Sequence, residues 1–386
     1  MRRPATLATA ALFLATALSA QKPGTLTVRL HGTVLMNSFY NDAAVSAEDL
    51  PLTASLPGAS GLPEHELGAT VRQTRIIATA DQDNVAGGQL HGELDLDFYG
   101  GGQATGFGRY SPVPRIRRAI GEIDWPRSTL LIGEEAPPIS DVNPRSLAAI
   151  GFPGFSGSGN LWLWIPQIRF DHDLTGGDGF RPGIGVAVLA PTASGPAAAD
   201  SQVNLQPTIA ERSGRPSVEA RLTGRWGGSD GGMVSIGGHY GWLATTGDTL
   251  LQSKGLAASA IVPFAGRFEF RGEAYTGQGM AALGGGAIGQ AAGVGGVPVK
   301  SKGGWAQLVF LPNSAWEFGA GYGVDDPQDS ELTGASARLK NDVTTLEATW
   351  RLAPIVAGLE VRHLATLYPS GTREATHVNL ALGWMF

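Results

Sequence analysis

The chain has 386 residues and a formal net charge of −6, so it is long enough for one large domain. The negative balance argues against a nucleic-acid-binding protein, which needs a basic face. The lack of cysteine excludes disulfide frameworks, thiolate metal sites and cysteine nucleophiles.

Residues 1–20 have the pattern of a secretory signal peptide. Arg2 and Arg3 form a basic start, an apolar segment follows, and the small residues Ser19 and Ala20 mark the cleavage region. The apolar segment is short for a membrane span, and nowhere else do 18 apolar residues run together. The sequence therefore predicts an exported protein without a transmembrane helix.

The rest of the chain consists of extended segments separated by glycine, proline and aspartate, without a sustained 3.6-residue period. In the segment 266–277, for example, Phe268 and Phe270 alternate with the charged Glu269 and Arg271. The pattern predicts sixteen strands, near 25–39, 70–81, 88–99, 114–124, 128–136, 160–171, 180–190, 215–226, 232–244, 254–262, 266–277, 302–311, 315–324, 340–352, 355–367 and 373–386.

The connections between these strands alternate between long and short. Long connections include 40–69, 137–159, 191–214 and 278–301, and tight ones include 126–127, 312–314 and 353–354. A soluble sandwich also alternates polar and apolar residues, but it gives no reason for alternating connection lengths. Long external loops and short periplasmic turns are typical of outer-membrane barrels. Residues 21–386 are therefore predicted to form an all-β, sixteen-stranded antiparallel up-and-down transmembrane β-barrel of the porin type, in the bacterial outer membrane.

The last ten residues, His377–Phe386, form the predicted closing strand. Leu380 and Leu382 fall on one face, whereas His377 and Asn379 fall on the other, as expected between lipid and a wet lumen. We expect this strand to pair with the first strand and so close the cylinder. Its terminal Phe386 is similar to the C-terminal aromatic residue that barrel-assembly machinery recognises, which makes that machinery an expected partner.

An ordered series of motifs resembles the DcaP-like porins. The motifs are Arg-Gln-Thr-Arg at 72–75, Gly-Glu-Leu-Asp-Leu-Asp-Phe-Tyr-Gly at 92–100, Pro-Arg-Ile-Arg-Arg-Ala at 114–119, Leu-Leu-Ile-Gly-Glu at 130–134 and Ile-Pro-Gln-Ile-Arg-Phe at 165–170. The resemblance covers about the first half of the mature chain. It implies a sixteen-stranded outer-membrane barrel that is typically trimeric and takes up small organic anions such as dicarboxylates.

The resemblance also implies roles for individual residues. Arg75, Arg115, Arg117 and Arg169 stand where arginines of the family occur, and 137–159 stands where its constricting third loop folds inward. Two features depart from the family. Its members often carry a helical segment before the barrel, and they favour Arg-Gln where this chain has Trp-Ile ahead of Pro-Gln-Ile-Arg.

Charged residues on the inward faces are the candidate selectivity residues, because arginines with facing carboxylates control which ions pass a pore. The candidates are Arg75, Arg115, Arg117, Arg169, Arg221, Arg267, Arg271, Arg351, Arg362, Glu93, Asp95, Asp97, Glu269 and Glu273. Each of them can instead belong to an ion pair that holds the wall in shape. In the loop 137–159, Asp141, Asn143 and Arg145 are predicted at a constriction, unless that loop stays extracellular.

No pattern points to catalysis or to a cofactor. The seven histidines lack metal-ligand spacing, and the glycine-rich 284–289 has no flanking strand and helix that would make it a nucleotide site. The sequence predicts a non-enzymatic porin for passive diffusion of small hydrophilic solutes, with small organic anions favoured. The resemblance to the DcaP-like porins implies a homotrimer, and outer-membrane lipid is the expected surrounding. The alternative is a plugged barrel that acts as a surface binding or structural protein.

Overall fold

The computed structural model describes residues 24–58, 63–104, 110–177, 179–192, 207–228, 231–244 and 249–386. The predicted signal peptide at 1–20 lies outside these residues. In the described part of the chain, no helix is long and apolar enough to cross a membrane.

Sixteen antiparallel strands of the described residues form one closed sheet, in which each strand pairs with its neighbours in sequence. The first eight are β1 (Thr27–Asn41), β2 (Glu66–Thr70 and Arg75–Val85), β3 (Gly88–Asp97), β4 (Arg115–Trp125), β5 (Ser128–Glu135), β6 (Ile165–Asp173), β7 (Arg181–Leu189) and β8 (Ser217–Trp226). The second eight are β9 (Gly232–Ala244), β10 (Leu250–Phe264), β11 (Phe268–Gln278), β12 (Lys300–Phe310), β13 (Trp316–Pro327), β14 (Lys340–Leu352), β15 (Ile355–Tyr368) and β16 (Gly371–Met385).

The barrel closes between its first and last strands. Thr33–Asn41 of β1 pairs with His377–Met385 of β16. Just beyond this register, the Gly32 amide donates to the Phe386 carbonyl at 3.0 Å, and the Phe386 amide donates to the Gly32 carbonyl at 3.1 Å. The predicted sixteen-stranded antiparallel barrel and its closing strand are confirmed.

The two faces of the wall differ in polarity. On β16, Leu380 and Leu382 are exposed on the outer face, whereas His377 and Asn379 are fully buried on the inner face. Hydrocarbon offers no hydrogen-bond partners, so only helices or closed barrels can span it. A closed barrel with an apolar outer face and a polar interior is the architecture of a protein that spans a bacterial outer membrane.

The short-turn end of the barrel carries a band of aromatic side chains. Phe268 stacks on Phe264 and on Phe310, with ring centroids 5.6 and 4.8 Å apart. Phe318 extends the band, because its ring centroid lies 6.4 Å from that of Phe310 and 5.6 Å from that of Trp316. Aromatic girdles of this kind lie at the membrane interface of outer-membrane barrels.

Two of the strands contain local irregularities that the alternation does not predict. The register between β3 and β4 shifts at Asp95, so Arg117 is the extra residue of a bulge. Arg117 and Arg118, although adjacent in sequence, therefore both point to the inner face. The predicted strand 70–81 is interrupted at 71–74, where the buried Gln73 leaves the ladder and binds a loop inside the barrel.

We expect deletion of Phe386 to impair outer-membrane insertion, because it removes both hydrogen bonds with Gly32 and an outward aromatic ring. The measurement is the fraction of heat-modifiable barrel in isolated outer membranes. Phe386→Ala is the matched control, because it retains the backbone bonds and lacks only the ring. Normal assembly of the deletion variant would show that neither group matters for insertion.

Candidate functional site

A long connection between β5 and β6, residues 136–164 and here called the inner loop, contacts the inner wall of the barrel. Near its start, the Ile139 amide donates to Glu219 of β8 at 2.8 Å. Near its end, the Leu161 amide donates to Glu273 of β11 at 3.0 Å. Glu273 also accepts from the Ser140 hydroxyl. Wall carboxylates thus hold the loop through backbone and hydroxyl donors.

The middle of the inner loop is held by Arg145. Its guanidinium donates to Glu269 of β11 at 3.0 Å and lies 3.4 Å from Glu317 of β13. Gln307 of β12 accepts from the Arg145 amide and donates to its carbonyl, both at 2.8 Å. Partial burial acts to lower the pKa of Arg145, but hydrogen bonding and attraction from Glu269 and Glu317 outweigh it and raise that pKa.

The loop then continues around the wall in barrel order. The Ser146 hydroxyl donates to Glu360 of β15 at 2.6 Å. Gln73, in the interruption of β2, accepts from the Ile150 amide at 2.8 Å. Arg115 of β4 donates to the Gly151 carbonyl at 2.7 Å. The inner loop therefore lines most of the inner circumference.

The predicted arginines of β2 and β4 meet carboxylates of β3. Arg75 Nε donates to Asp95 at 2.7 Å, and Arg115 Nε donates to Asp97 at 3.0 Å. Arg117 lies between them, 3.5 Å from Asp95 and 3.4 Å from Asp97. These three arginines and two aspartates, all predicted from the sequence, form one contiguous cluster.

Arg118 belongs beside this cluster and is missing from the predicted set. It donates to Glu93 at 2.6 Å and to Glu135 at 2.7 Å, so it faces the same side as Arg117. Strict alternation would place Arg118 on the outer face, because two consecutive side chains point inward only at a bulge. The sequence signal for this bulge is the pair of adjacent arginines in an otherwise alternating strand.

The other predicted arginines also meet carboxylates, with one exception. The pairs are Arg169 with Asp171, Arg221 with Asp141 and Asp171, Arg271 with Glu269, Arg351 with Glu317, and Arg362 with Glu360. Asn143, predicted at a constriction, offers its carbonyl to Arg271 at 2.8 Å. The exception is Arg267, a correction to the predicted set. It lies outside β11, exposed in the turn 265–267.

A cavity of about 970 Å³ lies against the inner loop and extends to the short turn at Pro126 and Arg127. Eight arginines and seven carboxylates of the described residues line it. Several were not predicted: Arg118, Arg127, Arg225, Glu122, Asp124, Glu135, Asp171, Asp173 and Glu317. The numbers of positive and negative side chains that line the cavity are therefore nearly equal.

In some of these pairs, however, the arginine is clearly more exposed than its carboxylate. The side chain of Arg75 is 29% exposed and that of its partner Asp95 is 0%. Likewise, the side chain of Arg351 is 38% exposed and that of Glu317 is 3%. In these pairs the guanidinium faces the cavity and the carboxylate lies behind it. Arg221 and Arg169 are the reverse case, since each is less exposed than its carboxylate partner.

On the long-loop side, the interior is packed with apolar side chains. Leu161 of the inner loop packs in a buried cluster with Met280 and Leu283 of the connection after β11. A second cluster joins Phe155 of the inner loop to Val45, which follows β1. In the described residues, no group of three or more histidine, aspartate or glutamate side chains is placed to hold a metal ion.

No family model and no curated protein sequence matches this chain, but solved structures do. It is similar to the outer membrane channel DcaP of Acinetobacter baumannii, with a TM-score of 0.72 over 94% of this chain and 97% of that one, at 16% identity. The fold is that of an outer-membrane porin. The predicted resemblance to the DcaP-like porins is therefore confirmed at the level of the fold.

Two further solved structures share this porin fold. The anion-selective porin from Comamonas acidovorans has a TM-score of 0.57 and 13% identity, over 94% of this chain and 100% of that one. OmpF of Salmonella typhi, in complex with daunomycin, has a TM-score of 0.58 and 13% identity, over 93% of this chain and 97% of that one. At such identities the likeness shows the fold alone.

We expect Glu273→Ala to destabilise the barrel by about 1–3 kcal/mol, because the buried Leu161 amide loses its acceptor. Ser140 retains the Leu161 carbonyl at 2.6 Å. Urea unfolding and limited proteolysis within the inner loop measure the effect. Asp326→Ala, which removes an exposed partner of Lys302, is the control and should stay within about 0.5 kcal/mol. Equal stability of the two variants would refute the role of Glu273.

Proposed function

We propose that the protein is an outer-membrane porin that admits small hydrophilic solutes by passive diffusion, without chemistry on the solute. Pore width and the charges of the lumen set selectivity in such channels. The polar cavity against the inner loop supports this proposal, and so does the similarity to known channels. In this proposal the inner loop, with Asp141, Asn143 and Arg145, forms the constriction.

We further propose that small organic anions, dicarboxylates among them, are favoured. The observation that carries this is the orientation of the ion pairs, in which Arg75 and Arg351 are accessible while Asp95 and Glu317 are not. A guanidinium stays charged and offers a planar fork that matches a carboxylate. A solute carboxylate can therefore approach an arginine without meeting its buried partner. A homotrimer, as in the family that the sequence resembles, is part of the proposal.

The apolar packing on the long-loop side favours one competing function, a plugged barrel that serves as a surface binding or structural protein. Phe155 and Trp305, for example, stack at 5.8 Å between the inner loop and β12. Such packing narrows the lumen on that side.

Planar-bilayer recording of the refolded protein separates the two functions. A porin gives stepwise open-channel current that rises with salt concentration, whereas a plugged barrel gives none. The matched test for plugging is Phe155→Ala. Channel current from this variant, together with no current from the native protein, would show that the native barrel is plugged.

Arg75→Ala combined with Arg351→Ala should shift the reversal potential under a salt gradient away from anion selectivity, because Asp95 and Glu317 then lack these partners. The control is Arg215→Ala, which removes an arginine that lies over Trp242 at the outer rim. A native channel that is already cation-selective, or a double variant that matches the control, would contradict the anion preference.

A further inference from the structure

The lysines of this barrel occupy one region of its outer face. In the described residues these are Lys254 on β10, Lys300 and Lys302 on β12, and Lys340 on β14, each near the long-loop end of its strand. Ser253 and Ser301 precede Lys254 and Lys302 in sequence and are buried on the inner face. Because side chains alternate along a strand, the two lysines point outward. At this height an outward ammonium group lies at the level of lipid headgroups.

An apolar groove of about 990 Å³ runs along the outer face from β6 to β12 and ends at two of these lysines. Residues directly opposite one another on successive strands form a continuous row along it: Val188, Val218, Tyr240, Lys254, Gln278 and Lys300. The row is apolar at β7 and cationic at β12.

This row also rises toward the long-loop rim. Val188 is seven residues from the short-turn end of β7 (188 − 181), whereas Lys254 is ten residues from that end of β10 (264 − 254). Rows perpendicular to tilted strands climb in this way around a barrel. The groove therefore leads from the apolar belt to the headgroup level.

The floor of the groove contains the small residues Ala220 and Gly238. Gly238 stands between Ala220 and Leu256 in the neighbouring row. A Cβ atom at Gly238 would meet only the Leu256 side chain at 3.4 Å and the Gly255 carbonyl at 3.8 Å. The floor thus leaves open space against the wall, and the whole groove is at the upper end of the roughly 300–1,000 Å³ of small-molecule sites.

The cationic end is available for a ligand. Lys254 makes no ion pair among the described residues, and it donates a long, exposed hydrogen bond to Gln252 Oε1 at 3.4 Å. Lys300 pairs with Glu331 at 2.9 Å, yet its side chain is 63% exposed. A purely apolar occupant would desolvate Lys254 without pairing it, which is costly.

We propose that this groove binds one phosphate-bearing lipid of the outer leaflet. Its acyl chains lie along Val188, Val218 and Leu256, and a headgroup phosphate lies at Lys254 and Lys300. The gradient from apolar to cationic matches the two ends of such a lipid. The proposal depends on the membrane placement of the barrel and not on transport, so it holds whether the lumen is open or plugged.

Native mass spectrometry of the detergent-solubilised barrel tests this site. The probes are monophosphoryl lipid A, the same acylated lipid without phosphate, and inorganic phosphate as competitor. We expect the phosphorylated lipid to bind more tightly, and Lys254→Gln to weaken it about fivefold, the contribution of one basic residue at a lipid surface. Gly238→Leu, which fills the floor, should weaken both lipids. Inorganic phosphate should not compete at equal concentration.

Lys340→Gln is the matched control, because Lys340 is an outward lysine paired with Asp342 and lies outside the groove. Heat-modifiable migration verifies that each variant is folded. Equal affinity for the two lipids, or a loss with Lys340→Gln as large as with Lys254→Gln, overturns the phosphate contact. Unchanged lipid binding by Gly238→Leu overturns the groove, as does a barrel assembly in which a second copy covers it and excludes lipid.

Discussion

Pairing of the first and last strands is the constraint on which the structure depends. Backbone amides and carbonyls find no partners in hydrocarbon, so a sheet survives there only if it has no free edge. The register from Thr33 to Asn41 against β16, extended by Gly32 and Phe386, removes that edge. Closure also creates an inside. Once the cylinder is closed, the period of two along each strand sends one set of side chains to lipid and the other to an enclosed polar space.

In this enclosed space, the carboxylates of the inner wall have two separate roles. Glu219 and Glu273 accept backbone amides of the inner loop and so fix its path. Asp95 is instead fully buried behind Arg75, whose guanidinium lines the cavity. A chain with a net charge of −6 can therefore still present accessible arginines such as Arg75 and Arg351 to the cavity. Charge counts along the sequence do not contain this information, because exposure decides which partner of a buried pair a solute meets.

The sequence was sufficient for the barrel but only partly for the lumen. Alternation and connection lengths predict sixteen strands and the face of residues such as His377, because those features are local. The bulge that turns both Arg117 and Arg118 inward is set by pairing with Asp95 on the neighbouring strand, which no local period reveals. The path of the inner loop is similarly non-local: Gln73 and Gln307 hold it from distant parts of the chain. Trp164, within the predicted strand 160–171, instead precedes β6 and lies under the Arg117 guanidinium at 4.5 Å.

The division of the two cationic residue types follows from their chemistry. Arginine stays charged when partly buried and forms two parallel bonds with a carboxylate, which suits the ion pairs of the inner wall. Lysine carries a compact, strongly hydrated ammonium on a flexible stem, which suits the outer rim where Lys254 and Lys300 reach water and headgroups. The same sheet therefore carries two separate sets of cationic side chains on opposite faces of its wall. Because the strand backbone keeps them apart, substitutions at Lys254 leave the arginine cluster of β2 and β4 untouched. Inner and outer electrostatics can thus vary independently in one closed sheet.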